Sequence, residues 1–301
     1  MTRRIANGIR LTGLLLLATF AGAIPASPSG LPVERWTLTL RGGEVISAFV
    51  WPLRSRSTRP RLAILSHGVS TAASLRAEFD PLAYDALARV LNQLGYLVVL
   101  PRRPGYSGAS TATIEDYGTC DDPHYVRTVD VIADVIGDVL NYATSKRLAQ
   151  SRGVVLVGHS GGGLGSLTFA ARNDPRVLGV INISGGLGGR SFGMPFQVCA
   201  PGRLMSLVQK LGASTKTPSL WLYSDKDTYF SPTLSGALAA AYKRSGGLPE
   251  YALLPTMGPE GHTFVFEEAN ESIWKQHVVR FINRLESSSV HPLTRAGDGR
   301  N

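Results

Sequence analysis

The ten residues 154–163, Val-Val-Leu-Val-Gly-His-Ser-Gly-Gly-Gly, constrain the fold of this chain more than any other segment. A short apolar run rich in valine ends in Gly-x-Ser-x-Gly, and a helix of small residues is expected to follow. The pattern predicts a strand, a sharp turn and a helix, with Ser160 at the apex of the turn. Side chains at Gly158 and Gly162 would clash with the flanking backbone, so we expect the turn to require glycine at both positions.

Apolar runs typical of buried strands alternate along the chain with segments of helical spacing. This alternation predicts the α/β class, with a mostly parallel sheet covered by helices on both faces. The first two strands, joined at Gly42-Gly43, predict an antiparallel hairpin at one edge. One short helix separates the strands 177–183 and 220–223, so no large cap domain is expected. The predicted strands are 36–40, 45–51, 61–66, 97–100, 154–157, 177–183, 220–223 and 251–254, and the predicted helices are 82–94, 122–148, 203–211, 233–244 and 268–285.

The two ends of the chain differ in composition from its middle. Residues 1–23 have a basic start, an apolar stretch and small residues at Ala21-Gly22-Ala23. They predict a secretory signal peptide, with residue 26 as a second cleavage point and an uncleaved anchor as the alternative. A periplasmic or secreted location follows from such a signal. One domain is expected over residues 33–286, and residues 287–301 are expected to form a disordered tail.

The overall composition suits one large globular domain, because 44% of the 301 residues are hydrophobic and 18% are charged. The formal net charge of +9 is scattered rather than gathered in a stripe, so no nucleic-acid partner is expected. The sequence contains no recognisable metal-ligand cluster or nucleotide-binding loop, and we expect no metal and no cofactor. No membrane insertion is expected after cleavage of the signal, and the sequence does not indicate an oligomeric state.

The chain contains two cysteines, Cys120 and Cys199. In an exported protein such a pair predicts one disulfide, with two buried free thiols as the alternative. Neither cysteine lies in a strand-to-helix turn, so we do not expect a catalytic thiol.

Ser160 needs two partner side chains, because a serine hydroxyl is a weak nucleophile unless a base removes its proton and an acid orients that base. A serine in a strand-to-helix turn of this kind is followed in the chain by the acid and then by the histidine. His262 comes directly after the last predicted strand, whereas His277 falls in the closing helix and His291 in the tail. We therefore expect His262 to act as the base.

Two aspartates follow the predicted strand 220–223 and are candidates for the acid. Both cannot orient one imidazole ring. We favour Asp227 because it lies further around the turn, and Asp225 can then cap that turn, which is a usual role of aspartate.

The oxygen that becomes negative in a tetrahedral intermediate needs hydrogen-bond donors. We expect these to be the backbone N–H of Gly161, directly after the serine, and that of Val69, in the loop after the strand 61–66. His67 in the same loop is expected to order the loop, with proton transfer as the alternative. Four side chains are candidates for lining a substrate pocket, with packing or turn roles as the alternative: His67, Arg103, Tyr106 and His159.

Five short segments are informative when they are taken together: Ser66-His67-Gly68, Arg103-Pro104-Gly105-Tyr106-Ser107-Gly108, Gly158-His159-Ser160-Gly161-Gly162, Ser224-Asp225-Lys226-Asp227 and Gly261-His262. They resemble the α/β-hydrolase superfamily, and within it the dienelactone-hydrolase-like group of secreted bacterial hydrolases, over about residues 33–286. The resemblance implies that Ser160 is the nucleophile, Asp227 the acid and His262 the base. True dienelactone hydrolases have a cysteine nucleophile, so serine at position 160 argues against dienelactone as the substrate. The family pattern has Asp where this chain has Glu260.

These observations predict an exported serine hydrolase, acting as a carboxylesterase on small-molecule esters through an acyl-enzyme on Ser160. One alternative is a peptidase of the same fold. The other is a binding protein that keeps the fold without catalysis, although such proteins usually lose the serine, the acid or the histidine.

Overall fold

The computed structural model describes residues 30, 32–53, 59–106, 113 and 115–290, and these residues surround one eight-stranded sheet. The strand order is β1-β2-β4-β3-β5-β6-β7-β8. The hairpin of β1 and β2 is antiparallel and pairs with β4 in the antiparallel direction, whereas β3 to β8 are parallel to one another. The strands are β1 (Glu34–Thr39), β2 (Val45–Trp51), β3 (Arg61–Ser66), β4 (Tyr96–Pro101), β5 (Val154–His159), β6 (Val177–Ile183), β7 (Pro218–Ser224) and β8 (Leu248–Leu254).

Helices cover both faces of this sheet, as the alternating pattern predicts. Side chains of β5 alternate between the two layers, with Val154 and Leu156 in one core and Val155 and Val157 in the other. The first core is completed by α3, α4, α5 and α6, and the second by α2 and α7. The helices are α1 (Ala73–Ala77), α2 (Asp85–Gln93), α3 (Tyr125–Ser145), α4 (Gly161–Ala170), α5 (Pro201–Ser214), α6 (Pro232–Arg244) and α7 (Glu271–Val290).

The structure confirms the predicted fold, with a mostly parallel sheet, an antiparallel hairpin at its edge and only a small segment before β7. Between β6 and β7 the structure has a 3-10 turn at Ser191–Gly193 and helix α5, which do not amount to a cap domain. Helix α1 was not predicted, because its five residues are too few to show a helical period. The predicted helix 82–94 is a 3-10 turn at Pro81–Tyr84 followed by α2.

The last helix is longer than predicted. The hydroxyls of Ser287 and Ser288 donate to the carbonyl oxygens of Asn283 and Arg284, four residues earlier, and α7 continues to Val290. Residues 287–290 are therefore helical rather than part of a disordered tail. Residues 291–301 and the predicted signal peptide, residues 1–23, lie outside the described residues. Within the described part of the chain, no helix is long and apolar enough to cross a membrane.

The two cysteines form the predicted disulfide. Cys120 and Cys199 have an S–S distance of 2.07 Å and are 79 residues apart in the chain. The bond joins the loop before α3 to the loop between β6 and α5, so it ties together two of the loops at the carboxyl ends of the strands. Closing a loop of this length stabilises a fold by about 4 kcal/mol in the chain-entropy model.

Candidate active site

Ser160 lies between β5 and α4 in a strained backbone conformation. Its φ of 53° and ψ of −125° are uncommon for a residue with a side chain. Hydrogen bonds hold this conformation, because the N–H of Ser160 donates to Ile183 O at 2.9 Å and its carbonyl accepts from Gly163 N at 2.9 Å. The turn thus projects a half-buried serine beyond the sheet edge, at the N-terminus of a helix.

The glycines on either side of the serine are required by close backbone contacts. A Cβ atom added at Gly158 would lie 2.1 Å from the carbonyl oxygen of Gly162. A Cβ atom at Gly162 would lie 2.1 Å from the carbonyl oxygen of Ser66 on the neighbouring strand. Both distances are far below van der Waals contact, so the turn tolerates no side chain at either position, as expected.

Asp227 and His262 meet directly in the loops after β7 and β8. The Nδ1 atom of His262 lies 3.2 Å from Oδ2 and 3.3 Å from Oδ1 of Asp227. Both side chains are buried, and the carboxylate also accepts the backbone N–H groups of Tyr229 at 2.8 Å and Phe230 at 2.9 Å. The Tyr229 ring stacks on the imidazole with the ring centroids 4.1 Å apart. These contacts fix the ring and leave Nε2 as the nitrogen that does not face the carboxylate.

Asp225 has a different position. Its side chain is exposed, and its Oδ1 accepts the backbone N–H of Thr256 at 3.1 Å. That bond joins the turn after β7 to the loop after β8. Asp225 thus occupies the turn position that the sequence suggested for it, and the carboxylate beside His262 is that of Asp227.

Ser160 and His262 line one cavity of about 480 Å³ at the carboxyl ends of the strands. A volume of this size is typical of small-molecule sites. The walls come from the loops after β3, β4 and β6 and the turn after β7, and they include Val69, Thr71, Tyr117, Leu187, Arg190 and Tyr229. A second cavity of about 570 Å³ shares the wall at residues 188–190 and reaches the disulfide. The two cavities are therefore adjacent.

The two backbone segments expected to supply oxyanion donors are in contact. Gly161 is the first residue of α4, and the first N–H groups of a helix have no acceptor within it. A Cβ atom at Gly161 would lie 2.5 Å from Cγ2 of Val69 and 3.2 Å from Cδ2 of Leu187, so the loop after β3 packs on the start of the helix. Val69 itself lines the cavity beside Ser160.

The four candidate pocket side chains divide into two groups. His159 lines the cavity, and its Nε2 is 2.9 Å from the carbonyl oxygen of His262. Burial, with a smaller contribution from His262, lowers the pKa of His159 to about 3, so its ring is neutral. In contrast, His67, Arg103 and Tyr106 are fully buried behind the loop after β3, and the cavity walls formed by the described residues do not include them. The prediction that these three side chains line the pocket is therefore wrong. They contact the loop after β3 on the side that faces the protein interior, not the cavity.

Glu260 has a structural role at the site that was not predicted from the sequence. Its Oε1 accepts the backbone N–H of His262 at 2.8 Å and that of Thr228 at 3.2 Å, and its Oε2 accepts the Thr228 hydroxyl. Partial burial acts to raise the pKa of Glu260, but the hydrogen bonds from Thr228 and His262 hold it below the ordinary value. Glu260 thus links the loop of Asp227 to the loop of His262. The sequence feature that could have indicated this role is the position of Glu260, two residues before His262.

Within the described part of the chain, no group of three or more His, Cys, Asp or Glu side chains is arranged to hold a metal ion. The polar side chains at the cavity include those of two serines, a threonine, two tyrosines, two histidines and Arg190. The guanidinium of Arg190 lies over the Tyr229 ring, 5.5 Å from its centroid. Together these groups can support nucleophilic and acid–base chemistry.

A sequence model described as the alpha/beta hydrolase family matches residues 63–297. No curated protein matches this chain in sequence. Among solved structures, a protein from Klebsiella pneumoniae assigned as a dienelactone hydrolase is similar in fold, at 14% identity and a TM-score of 0.60, over 85% of this chain and 99% of that one. Est1E from Butyrivibrio proteoclasticus is 16% identical, with a TM-score of 0.56, over 84% and 99% of the two chains.

The fold also occurs within a longer protein. The acylaminoacyl peptidase of Pyrococcus horikoshii is 12% identical, with a TM-score of 0.57, and the match covers 90% of this chain but 43% of that one. At these identities the structural likeness concerns the fold. The match to the family model covers more than half of the sequence, and on that basis this chain belongs to the alpha/beta hydrolase family.

Proposed function

We propose that this protein is an exported serine hydrolase that cleaves carboxylic esters through an acyl-enzyme on Ser160. The observation that carries the proposal is the buried Asp227–His262 pair, 3.2 Å apart, at a cavity that Ser160 also lines. This is the order and the arrangement that a serine nucleophile needs in such a fold.

In the first half-reaction, Ser160 Oγ attacks the carbonyl carbon of the ester, and its proton passes to Nε2 of His262. The negative oxygen of the tetrahedral intermediate accepts the N–H groups of Gly161 and Val69. As the intermediate collapses, the bond to the alcohol oxygen breaks and His262 returns the proton to that oxygen. The alcohol leaves, and the acyl group remains on Ser160.

In the second half-reaction, water attacks the acyl carbon and His262 takes one of its protons. Collapse of the second intermediate breaks the bond to Ser160 Oγ, which regains the proton from His262, and a carboxylic acid is released. Asp227 keeps the proton of the resting imidazole on Nδ1 and stabilises the imidazolium form. The backbone N–H groups of Tyr229 and Phe230 hold that carboxylate in place.

The absence of a cap domain from the described segment between β6 and β7 supports ester substrates with an accessible acyl carbon. The wall of the second cavity near residues 190–193 continues into exposed apolar side chains, with Phe192 90% exposed and Phe196 60% exposed.

Export is supported by the signal-like pattern of residues 1–23 and by the disulfide between Cys120 and Cys199, since such bonds persist outside the cytoplasm.

Parallel assays on the full chain separate this proposal from its alternatives. Wild type and Ser160→Ala are given p-nitrophenyl butyrate and, separately, an N-acetylated amino-acid p-nitroanilide. The proposal expects ester turnover in wild type and its near-complete loss in the variant. Faster cleavage of the anilide than of the ester would favour a peptidase, and no turnover of either substrate would favour a binding protein.

A further inference from the structure

Three side chains direct hydrogen-bonding groups at one carbonyl oxygen, that of Gly68. Nδ1 of His67 lies 2.8 Å from it, Nη2 of Arg103 2.9 Å and the Tyr106 hydroxyl 3.2 Å. A peptide oxygen has two lone pairs, so three donors at this oxygen exceed one donor for each lone pair. This convergence lies directly behind Val69, which lines the cavity beside Ser160.

The tautomer of His67 follows from its neighbours. Its Nε2 lies 3.3 Å from the backbone nitrogen of Arg103, and a backbone N–H can only donate. Nε2 therefore accepts, so the ring proton resides on Nδ1 and is donated to Gly68 O. Burial and the positive charge of Arg103 hold the pKa of His67 well below its ordinary value, which keeps the ring neutral and this tautomer in place.

Arg103 makes its contact with Gly68 as a buried charge. Its guanidinium forms a paired contact with Glu115, with Nη2 3.0 Å from Oε2, and Nη1 donates to the Ser66 hydroxyl at 3.1 Å. Both members of the ion pair are fully buried. A charged donor forms a stronger hydrogen bond than a neutral one, and the carboxylate fixes the plane from which Arg103 donates.

The carbonyl of Gly68 and the N–H of Val69 belong to the same peptide group. The peptide bonds of the described residues are trans, so this C=O and this N–H point in opposite directions. Donors that hold the oxygen on the protein side therefore direct the N–H of Val69 away from them. Hydrogen bonds to the oxygen also polarise the amide and make its N–H a better donor.

The Tyr106 hydroxyl forms hydrogen bonds with the backbone on both sides of Val69. Besides donating to Gly68 O, its hydroxyl accepts the N–H of Ser70 at 2.8 Å, so it binds the backbone directly before and directly after Val69. Arg76 secures the next residues, because its Nη1 donates to Ser70 O at 3.1 Å and to Thr71 O at 2.7 Å. The loop after β3 is thus tied to the protein by side chains that do not touch the cavity.

We propose that His67, Arg103 and Tyr106 are positioning residues that orient and polarise the Gly68–Val69 peptide, so that its N–H stabilises the oxyanion. This inference rests on the proposed serine-hydrolase function. Because the oxyanion forms only as the transition state is approached, the three residues should affect kcat and leave KM nearly unchanged.

The principal test uses Tyr106→Phe, which removes one hydroxyl and keeps the ring. Removal of a whole oxyanion donor costs roughly 100- to 1,000-fold in kcat, so weakening one should cost about tenfold. We expect KM to change less than about twofold, and the inhibition constant of a trifluoromethyl ketone, which forms a tetrahedral adduct on the serine, to rise by the same factor as kcat falls.

The matched control is Tyr96→Phe. Tyr96 is also a buried tyrosine, and its hydroxyl bonds Glu286 at 2.9 Å at the opposite end of β4. It should lose thermal stability without a change in kcat or in inhibitor affinity. A second variant, Arg103→Met combined with Glu115→Gln, removes the charges of the buried pair together, so that neither charge is left alone. It should lower kcat at least as much as Tyr106→Phe.

Unchanged kcat and inhibitor affinity in Tyr106→Phe, or equal losses in Tyr96→Phe, would overturn the inference. So would a rise in KM alone. Fluorophosphonate labelling of the same wild-type sample distinguishes a failure of the positioning role from a failure of the serine-hydrolase function. Labelled wild type with an unaffected Tyr106→Phe means that only the positioning role is wrong, whereas unlabelled wild type means that the serine-hydrolase function is wrong as well.

Discussion

The carboxylate of Asp227 lies 3.2 Å from Nδ1 of His262 and accepts two backbone N–H groups, so it is held in place as the acceptor that faces one specific ring nitrogen. The neighbouring Asp225 is exposed and bonds Thr256 instead. Two carboxylates only two residues apart thus have separate tasks, one at the imidazole and one in the turn.

Asp227→Asn should lower kcat/KM for a p-nitrophenyl ester by about 10⁴, because the amide can favour the wrong imidazole tautomer and cannot stabilise the imidazolium. Asp225→Asn is the matched control and should change kcat/KM by less than about threefold, with its effect confined to stability. Steady-state kinetics at neutral pH compare the two. A large loss in the Asp225 variant with an active Asp227 variant would reverse the assignment.

Glu260 should make the fold sensitive to acid. Its pKa in the folded protein lies below the ordinary value of 4.5, so it stabilises the fold above that pH, and the stabilisation disappears as the pH falls through the lowered folded-state value. The difference in Tm between wild type and Glu260→Gln should therefore be largest near pH 6 and shrink towards pH 3. The exposed Glu267→Gln serves as the control. A difference in Tm that is constant from pH 6 to pH 3 would contradict the stabilising role of the ionised Glu260 carboxylate.

The two glycines of the serine turn should resist substitution. Gly158→Ala and Gly162→Ala place a Cβ atom 2.1 Å from a backbone oxygen, and relief of such overlap costs about 1–3 kcal/mol or more. Gly202→Ala is the control, because its added Cβ meets nothing within 4 Å and it lies in the first turn of α5. Urea denaturation should show destabilisation in the first two variants and no loss in the third. Equal stability of all three would contradict the close packing.

The disulfide should be complete in protein that is produced in an oxidising compartment and purified without reductant. Thiol titration under denaturing conditions should find no free thiol before reduction and two after it, from Cys120 and Cys199. The double variant Cys120→Ser with Cys199→Ser should lose stability by up to about 4 kcal/mol, because the unfolded chain regains the entropy of an open loop. Two titratable thiols in the unreduced protein would contradict the pairing in solution.

The serine turn could be predicted from the sequence because its requirements are local. The glycines at 158 and 162 and the valine run before them sit within ten residues. The position of His262 could be predicted as well, since parallel strands bring their following loops to one edge of the sheet. Asp227 could be favoured over Asp225, but only the fold shows which carboxylate turns towards the ring.

The roles of Arg103 and Glu115 could not be predicted in the same way. Both lie in the loop after β4, and the buried pair packs against Ser66 and Gly68, a contact that no spacing along the chain encodes. An arginine near proline and glycine looks like a solvated turn residue until its burial is known. The same holds for Glu260, whose contacts with Thr228 depend on how two loops approach each other.

The most direct test of the proposed chemistry is fluorophosphonate labelling of the folded full chain, followed by proteolysis and mass spectrometry of the modified peptide. Wild type should carry one phosphonyl group on Ser160, and Ser160→Ala should carry none. His262→Ala should label far more slowly, because the serine then lacks its base. Absence of labelling in wild type, or equal labelling of Ser160→Ala, would contradict the assignment of Ser160 as the nucleophile.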